Sequence, residues 1–249
     1  MTAADRSIGA YLSSITRMAA LIGGSVVEAA PGVLQVHTGV HLPTFNGVFV
    51  RDRRPRWSSV EEAIGTYVPS APWSVSLRGQ PSDAVVRAAA EVGLTSRTTM
   101  PLLTRPLESG RPPTVPPGVT VSVGDAHSAA YGTTLAAGFG IPADVLERVT
   151  GPDVLSEPHF RSVLVADRGT PVATGLVMLE GDIAGIANIA TVPHARRRGF
   201  GELATLAAMA EASTRGARTT YLQASPEGLA LYRKLGFSPA EEGVVLLAE

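Results

Sequence analysis

The chain has 249 residues, of which 45% are hydrophobic and 17% charged, with a formal net charge of −1. That length and composition describe a globular protein with room for one large domain or two ordinary ones, and the near-neutral charge excludes a bulk electrostatic field for nucleic acid. The absence of cysteine excludes disulfides, thiolate catalysis and cysteine-ligated zinc.

Residues 5–22 read as an amphipathic helix, with Ile8, Tyr11, Leu12, Ile15, Met18, Ala19 and Ile22 at three- and four-residue steps and Gly23-Gly24 as its stop. Short strands are expected at Val26–Ala29, Val33–Val36 and Gly47–Val50, with a turn at Pro31-Gly32. A helix over Trp57–Tyr67 would take Ser58 or Ser59 as its N-cap. Trp73–Leu77 alternates as a strand does, Ser82–Val92 reads as a helix closed by Gly93, and a strand is expected around Met100–Leu103. Five prolines between Pro106 and Gly118 interrupt both helix and interior strand, and a domain boundary is expected at 111–118.

Beyond it, Val119–Val123 reads as a strand, Asp125 as the N-cap of a helix reaching about Ala137, and a second helix follows Pro142. Arg161–Ala166 and Pro171–Leu179 are strands joined by a hairpin-like turn. The apolar segment Ile186–Val192 is a buried strand ended by Pro193, a basic loop follows, and Glu202–Glu211 is a strong helix former. Thr219–Ala224 is a strand; Ser225 as N-cap and Pro226 at the first helical position open a helix that stops at Gly236, and Gly243–Leu247 is the last strand.

The strand–loop–helix junction at 186–211 carries chemistry. Main-chain N–H groups of the loop and first helical turn have no intrahelical partner, and the helix dipole adds partial positive charge, so phosphate oxygens fit there. Gly199 and Gly201 let a bulky anion approach the main chain, and Arg196, Arg197 and Arg198 add full charges.

The spacing Arg196-x-x-Gly199-x-Gly201 after an apolar strand, with Ile189-Ala-Thr-Val-Pro193 before it, resembles the pyrophosphate-binding loop of the GNAT superfamily of N-acetyltransferases. Leu231-Tyr-Arg-Lys-Leu-Gly-Phe237 resembles that family's Tyr-x-x-Leu-Gly-Phe signature, and the element order from 119 to 247 resembles the full domain. The resemblance implies an α/β fold with a mixed sheet, of the GNAT acyl-CoA N-acyltransferase type, in the C-terminal half, residues 119–249. It also implies acetyl-CoA as cosubstrate, held by Ala190, Thr191, Val192, Arg197, Arg198, Gly199, Phe200, Gly201, Glu202 and, secondarily, Ser225. Tyr232 then stands where the family's tyrosine gives a proton to the leaving CoA thiolate; a phenol of ordinary pKa, about 10, is a neutral donor at pH 7. On spacing alone Tyr232 reads rather as an aromatic anchoring a helix, and the two motifs together reverse that reading; Ser225 reads as a cap, and Leu235 and Phe237 as core residues.

The main chain of Ala190, Thr191 and Val192 is expected to receive the pantetheine arm, and an amide of that strand to polarise the thioester carbonyl. Glu180, Asp182, His194 and Glu227 are the acidic or histidine candidates for a base; the strand carries no acidic side chain between Ile186 and Val192, where some family members have a glutamate. The histidines, His37, His41, His127, His159 and His194, show no metal-ligand spacing, so no metal is expected.

Trp73–Leu77, the following helix and Gly93-Leu94 loosely repeat the layout of Thr220–Phe237, with Ala89 where Tyr232 stands, and residues 1–110 lack Arg-x-x-Gly-x-Gly. That half is expected to be a smaller, degenerate GNAT-like domain without a cofactor site; an unrelated α/β domain is the alternative. The expected function is acetyl transfer to a primary amine of a small molecule or peptide, in the cytoplasm, without nucleic acid or membrane. A CoA-binding sensor lacking turnover is the alternative from another class, and a nucleotide-phosphate binder a third. The sequence leaves the acceptor, and whether the protein is a homodimer, open.

Overall fold

A computed structural model describes residues 2–107, 112–124 and 128–248. The expected N-cap Asp125 and one of the five histidines, His127, lie outside the described residues. The chain forms two compact units, Met1–Thr104 with Gln223–Glu249, and Arg105–Leu222.

The first unit opens with α1 (Ala3–Leu21), started by a capping box in which Thr2 Oγ1 accepts from the Asp5 N–H (3.1 Å) and Asp5 Oδ2 from the Thr2 N–H (2.8 Å). Strands β1 (Ser25–Ala30), β2 (Val33–His37) and β3 (Gly47–Val50) form an antiparallel meander. Helix α2 (Trp57–Thr66) returns the chain to β4 (Ser74–Arg78), which lies parallel to β3. Helix α3 (Asp83–Glu91), capped by Ser82, leads to β5 (Ser96–Pro106). Val48, Val60, Ile64, Val75, Val85 and Ala89 meet in its core, so Ala89, the residue expected to stand where Tyr232 does, is wholly buried. Helix α2 begins at Trp57 with Arg56 at its N-cap, so Ser58 and Ser59, expected to cap it, lie inside its first turn.

The second unit contains β6 (Val119–Val123), α4 (Ser128–Phe139), α5 (Ala143–Thr150) and the single turn α6 (Pro152–Leu155). Strands β7 (Phe160–Asp167), β8 (Thr170–Glu180) and β9 (Ile183–Thr191) repeat the antiparallel meander. Helix α7 (Phe200–Thr214) crosses to β10 (Thr219–Gln223), parallel to β9. The sheet order is β10-β9-β8-β7-β6. Ile189 packs with Phe200, Leu203 and Ala204 on the α7 face, whereas Ala190 meets Gly138 of α4 on the other.

The last elements, α8 (Leu229–Lys234) and β11 (Ser238–Leu247), belong to the first unit. The units therefore part elsewhere than at the proline-rich 111–118 segment. The reason is strand pairing: β11 is antiparallel to β4 over Gly243–Leu247 and to β5 from Ser238 to Leu247, giving the order β1-β2-β3-β4-β11-β5. An ion-paired cluster fastens it there. Arg78, 6% exposed, donates to both carboxylate oxygens of Glu241 (2.6 and 2.7 Å), to Asp5 Oδ1 (2.8 Å) and to the Arg51 carbonyl (2.8 Å).

Candidate cofactor site

Strand β9 has one closed and one open edge. Its β8 side is paired from Ile183 to Thr191. Its β10 side is paired only where Ile183, Ala184 and Gly185 face Thr219, Thr220 and Tyr221. Among the described residues, 186–191 have no strand partner on that side. The cause is local. Asn188 takes a left-handed conformation (φ 53°), and the β8–β9 register shifts between Thr174 and Leu176. This bulge re-aims the strand and is held on two sides: Thr174 Oγ1 donates to the Asn188 carbonyl (2.8 Å), and Asn188 Nδ2 donates to the buried Tyr131 hydroxyl (3.1 Å). An open strand edge presents main-chain donors and acceptors to an extended ligand.

The chain leaves that edge through a 3-10 turn at Pro193–Ala195 and turns into α7 at Gly199 (φ 87°, ψ −1°), a left-handed N-cap that a side chain would strain. Gly199 faces open space on its Cβ side, so the dihedral angle, not crowding, requires glycine. A Cβ on Gly201 would lie 3.2 Å from Thr191 Oγ1, which sets the first turn of α7 against the end of β9. The N–H groups of Phe200 and Gly201, in the first turn of α7, have no intrahelical acceptor. Phe200 is buried beneath this turn, and Arg198 lies over its ring (4.9 Å) while pairing with Asp167 (2.6 Å). Arg197 is exposed and left-handed (φ 63°). Thus Ala190, Thr191, Val192, Arg197, Arg198, Gly199, Phe200, Gly201 and Glu202 come together around one strand end and one helix N-terminus, an arrangement suited to an extended amide arm followed by a diphosphate.

Ser225 and Tyr232 lie in the first unit. The helix expected to start at Ser225-Pro226 starts at Leu229 instead, because Ser225 Oγ accepts from the Gly228 N–H (3.3 Å) and closes a separate turn. Tyr232 is 8% exposed and packs edge-to-face on Phe237 with ring centroids 6.0 Å apart. The Gly228 backbone lies so close that an added Cβ would be 2.8 Å from the Tyr232 ring. Burial pushes its phenol up to about 12.

Of the base candidates, Glu180 lies 3.8 Å from His159 Nδ1, and Asp182 and His194 are exposed. Glu227 is held below the usual carboxylate range, first by its own main-chain N–H and then by the Ser225 side chain. No group of three metal-capable side chains occurs among the described residues.

Sequence reasoning passed over Asn188, Tyr131 and Gly138. Only Asn188 left a signal, a polar residue tolerant of left-handed geometry inside an apolar run.

Residues 159–239 match the family model for the Acetyltransferase (GNAT) domain. No curated protein matches the chain significantly. Among solved structures, a GCN5-related N-acetyltransferase from Kribbella flavida aligns with a TM-score of 0.72 at 22% identity, covering 100% of this chain and 96% of that one. A functionally unknown conserved protein from Staphylococcus epidermidis gives 0.63 at 11% identity, covering 92% and 95%. A GCN5-related N-acetyltransferase from Sphaerobacter thermophilus gives 0.55 at 16%, covering 89% and 74%. The matched GNAT domain, residues 159–239, spans the β9–α7 junction, and the fold along the whole chain is that of a solved structure described as a GCN5-related N-acetyltransferase.

Proposed function

We propose that the protein is a cytoplasmic, acetyl-CoA-dependent N-acetyltransferase that acetylates a primary amine by direct attack in a ternary complex. Residues 119–249 carry the cofactor-binding sequence, and residues 1–110 are a GNAT-like copy without one. The observation that carries this reading is the open edge of β9 at 186–191 running directly into the α7 N-terminus. The fit to the cosubstrate is chemical: main-chain amides suit the pantetheine amides, and the positive end of the α7 dipole with Arg197 suits the diphosphate.

Acetyl-CoA supplies an activated acyl group. The chain's contribution is to hold the thioester carbonyl against β9 amides, whose fixed N–H dipoles favour the developing oxyanion, and to return a proton to the departing thiolate from Tyr232. A phenol with pKa near 12 stays protonated at every pH at which the enzyme would work. No carboxylate lies on β9 between Ile186 and Thr191, so the base that receives the proton of the attacking amine acts from another element or through a water chain.

Calorimetric titration of the full chain with CoA, followed by assay of thiol release from acetyl-CoA across an amine panel, tests the proposal. Micromolar binding with amine-dependent release supports it. Absence of CoA binding overturns it, and binding without release from any amine indicates a CoA sensor.

A further inference from the structure

The three consecutive arginines of the loop do not share one environment. Arg196 Nη2 donates to the Gly138 carbonyl (2.9 Å) and its Nε to the Thr191 carbonyl (3.2 Å). Gly138 is the penultimate residue of α4, so its carbonyl is one of those a helix leaves without an intrahelical donor, at the negative end of the dipole. The two carbonyls belong to segments already in close contact: a Cβ on Gly138 would lie 2.7 Å from Ala190 Cβ and 3.2 Å from the Thr191 nitrogen. Arg198 is neutralised by Asp167 and lies over Phe200. Among the described residues, Arg197 makes no hydrogen bond, ion pair or ring contact.

We propose that Arg196 is a positioning residue, a latch that pins the α4 C-terminus and the end of β9 together, and that Arg197 alone of the three gives its charge to a bound diphosphate. This rests on the cofactor reading above. The physical ground is that a guanidinium satisfied by two carbonyls in fixed directions gains little by leaving them for a mobile phosphate. The strand end it holds is the last stretch of main chain before the loop, so its geometry sets where both the amide arm and the diphosphate fall. A shift of a fraction of an ångström there misaligns several hydrogen bonds together.

The test uses Arg196→Gln, Arg196→Lys and Arg197→Gln in the full chain, with two readouts. The first is amide hydrogen exchange without ligand. Arg196→Gln should speed exchange in 136–141 and 189–195 by about tenfold or more, Arg196→Lys by less, and Arg197→Gln not at all. The second is CoA affinity as a function of potassium chloride concentration. Arg196→Gln should weaken binding about tenfold with the salt dependence unchanged, whereas Arg197→Gln should flatten the salt dependence.

The proposal is overturned if Arg196→Gln leaves exchange in both segments as in the wild type, or if it flattens the salt dependence as Arg197→Gln does. Should the wild type bind no CoA, the cofactor reading fails, and exchange in the unliganded protein still decides the latch.

Discussion

Replacing Gly201 with glutamate should separate folding from cofactor binding. Gly201 is the second residue of α7, and a Cβ there meets only Thr191 Oγ1, at 3.2 Å, which can move by a few tenths of an ångström. The substitution removes a poor helix former, a gain of up to about 1 kcal/mol, and a carboxylate in the first turn interacts favourably with the dipole by about 0.3–1 kcal/mol. The folded state should therefore be unharmed. The same carboxylate occupies the anion position. Two like charges about 6 Å apart at an effective dielectric of about 20 repel by about 3 kcal/mol, before screening and side-chain freedom reduce it. At least about 1.4 kcal/mol should remain, a loss of tenfold or more in CoA affinity. Isothermal titration of Gly201→Glu, with Gly201→Ala as the uncharged control expected within about threefold of the wild type, measures it. A Gly201→Glu protein that melts as the wild type does and binds CoA equally well would refute the placement of the diphosphate.

Titration of the wild type should saturate at one CoA per chain, and Gly201→Glu should weaken that one site; two equivalents would mean a second cofactor loop in residues 1–110. Tyr232→Phe keeps the ring packed on Phe237 and removes only the hydroxyl, so CoA affinity should hold while thiol release falls about 10²–10⁴-fold; unchanged turnover would assign the proton to solvent. Since burial raises the Tyr232 pKa to about 12, any loss of activity between about pH 8 and pH 10 must persist in that variant if it survives to be measured. Asn46, 1% exposed, accepts from Thr38 N–H, Thr38 Oγ1 and Gly39 N–H and donates to the Val40, Leu42 and Pro72 carbonyls, so Asn46→Ala should cost about 3–5 kcal/mol in urea unfolding; less than about 1 kcal/mol would show the loop to be held otherwise. The Thr2 main-chain N–H, then Arg78, hold the Asp5 carboxyl far below its unfolded value of about 3.9, so its contribution is present above that pH and is lost as pH falls below it. The difference in melting temperature between wild type and Asp5→Asn should accordingly be largest near neutrality and shrink below about pH 4; a constant difference would deny the linkage.

The β9–loop–α7 junction was legible because its determinants are local. Pro193 stops a strand, Gly199 permits a left-handed N-cap, and an apolar run on each side sets the period. The rest depended on distant partners. Arg196 reads as one more cation of a basic loop, and only the fold brings it to Gly138, 58 residues away. Glu241 reads as a solvated charge at a strand start, yet it is paired with Arg78 across 163 residues in a first unit that the order of elements did not assign to it. The helix expected at Ser225-Pro226 had correct capping chemistry, but the serine's oxygen is spent on a turn that ends at Gly228.

The two units pose the same topological question and answer it differently. Each has an antiparallel meander, a helix, and a strand returning parallel to the third: β1-β2-β3-α2-β4 in the first and β7-β8-β9-α7-β10 in the second. In the first, β3 is paired with β2 over Gly47–Val50 and with β4 over Gly47, Val48 and Phe49, so both of its edges are used. The approach is so close that a Cβ on Gly47 would lie 1.8 Å from the Ser74 carbonyl oxygen. The segment leaving β3 carries Arg51, Arg53, Arg54 and Arg56, one more arginine than the cofactor loop. It has Pro55 and no glycine, and Arg56 caps α2 in an extended conformation. Positive charge is therefore present there without a free strand edge or a left-handed cap to turn amides toward a ligand. Charge alone attracts a diphosphate to a surface, whereas an extended acyl carrier needs unpaired main chain leading up to it. In this protein β9 carries a one-residue bulge at Asn188 that the short β3 lacks, and among the described residues 186–191 have no strand partner on the β10 side.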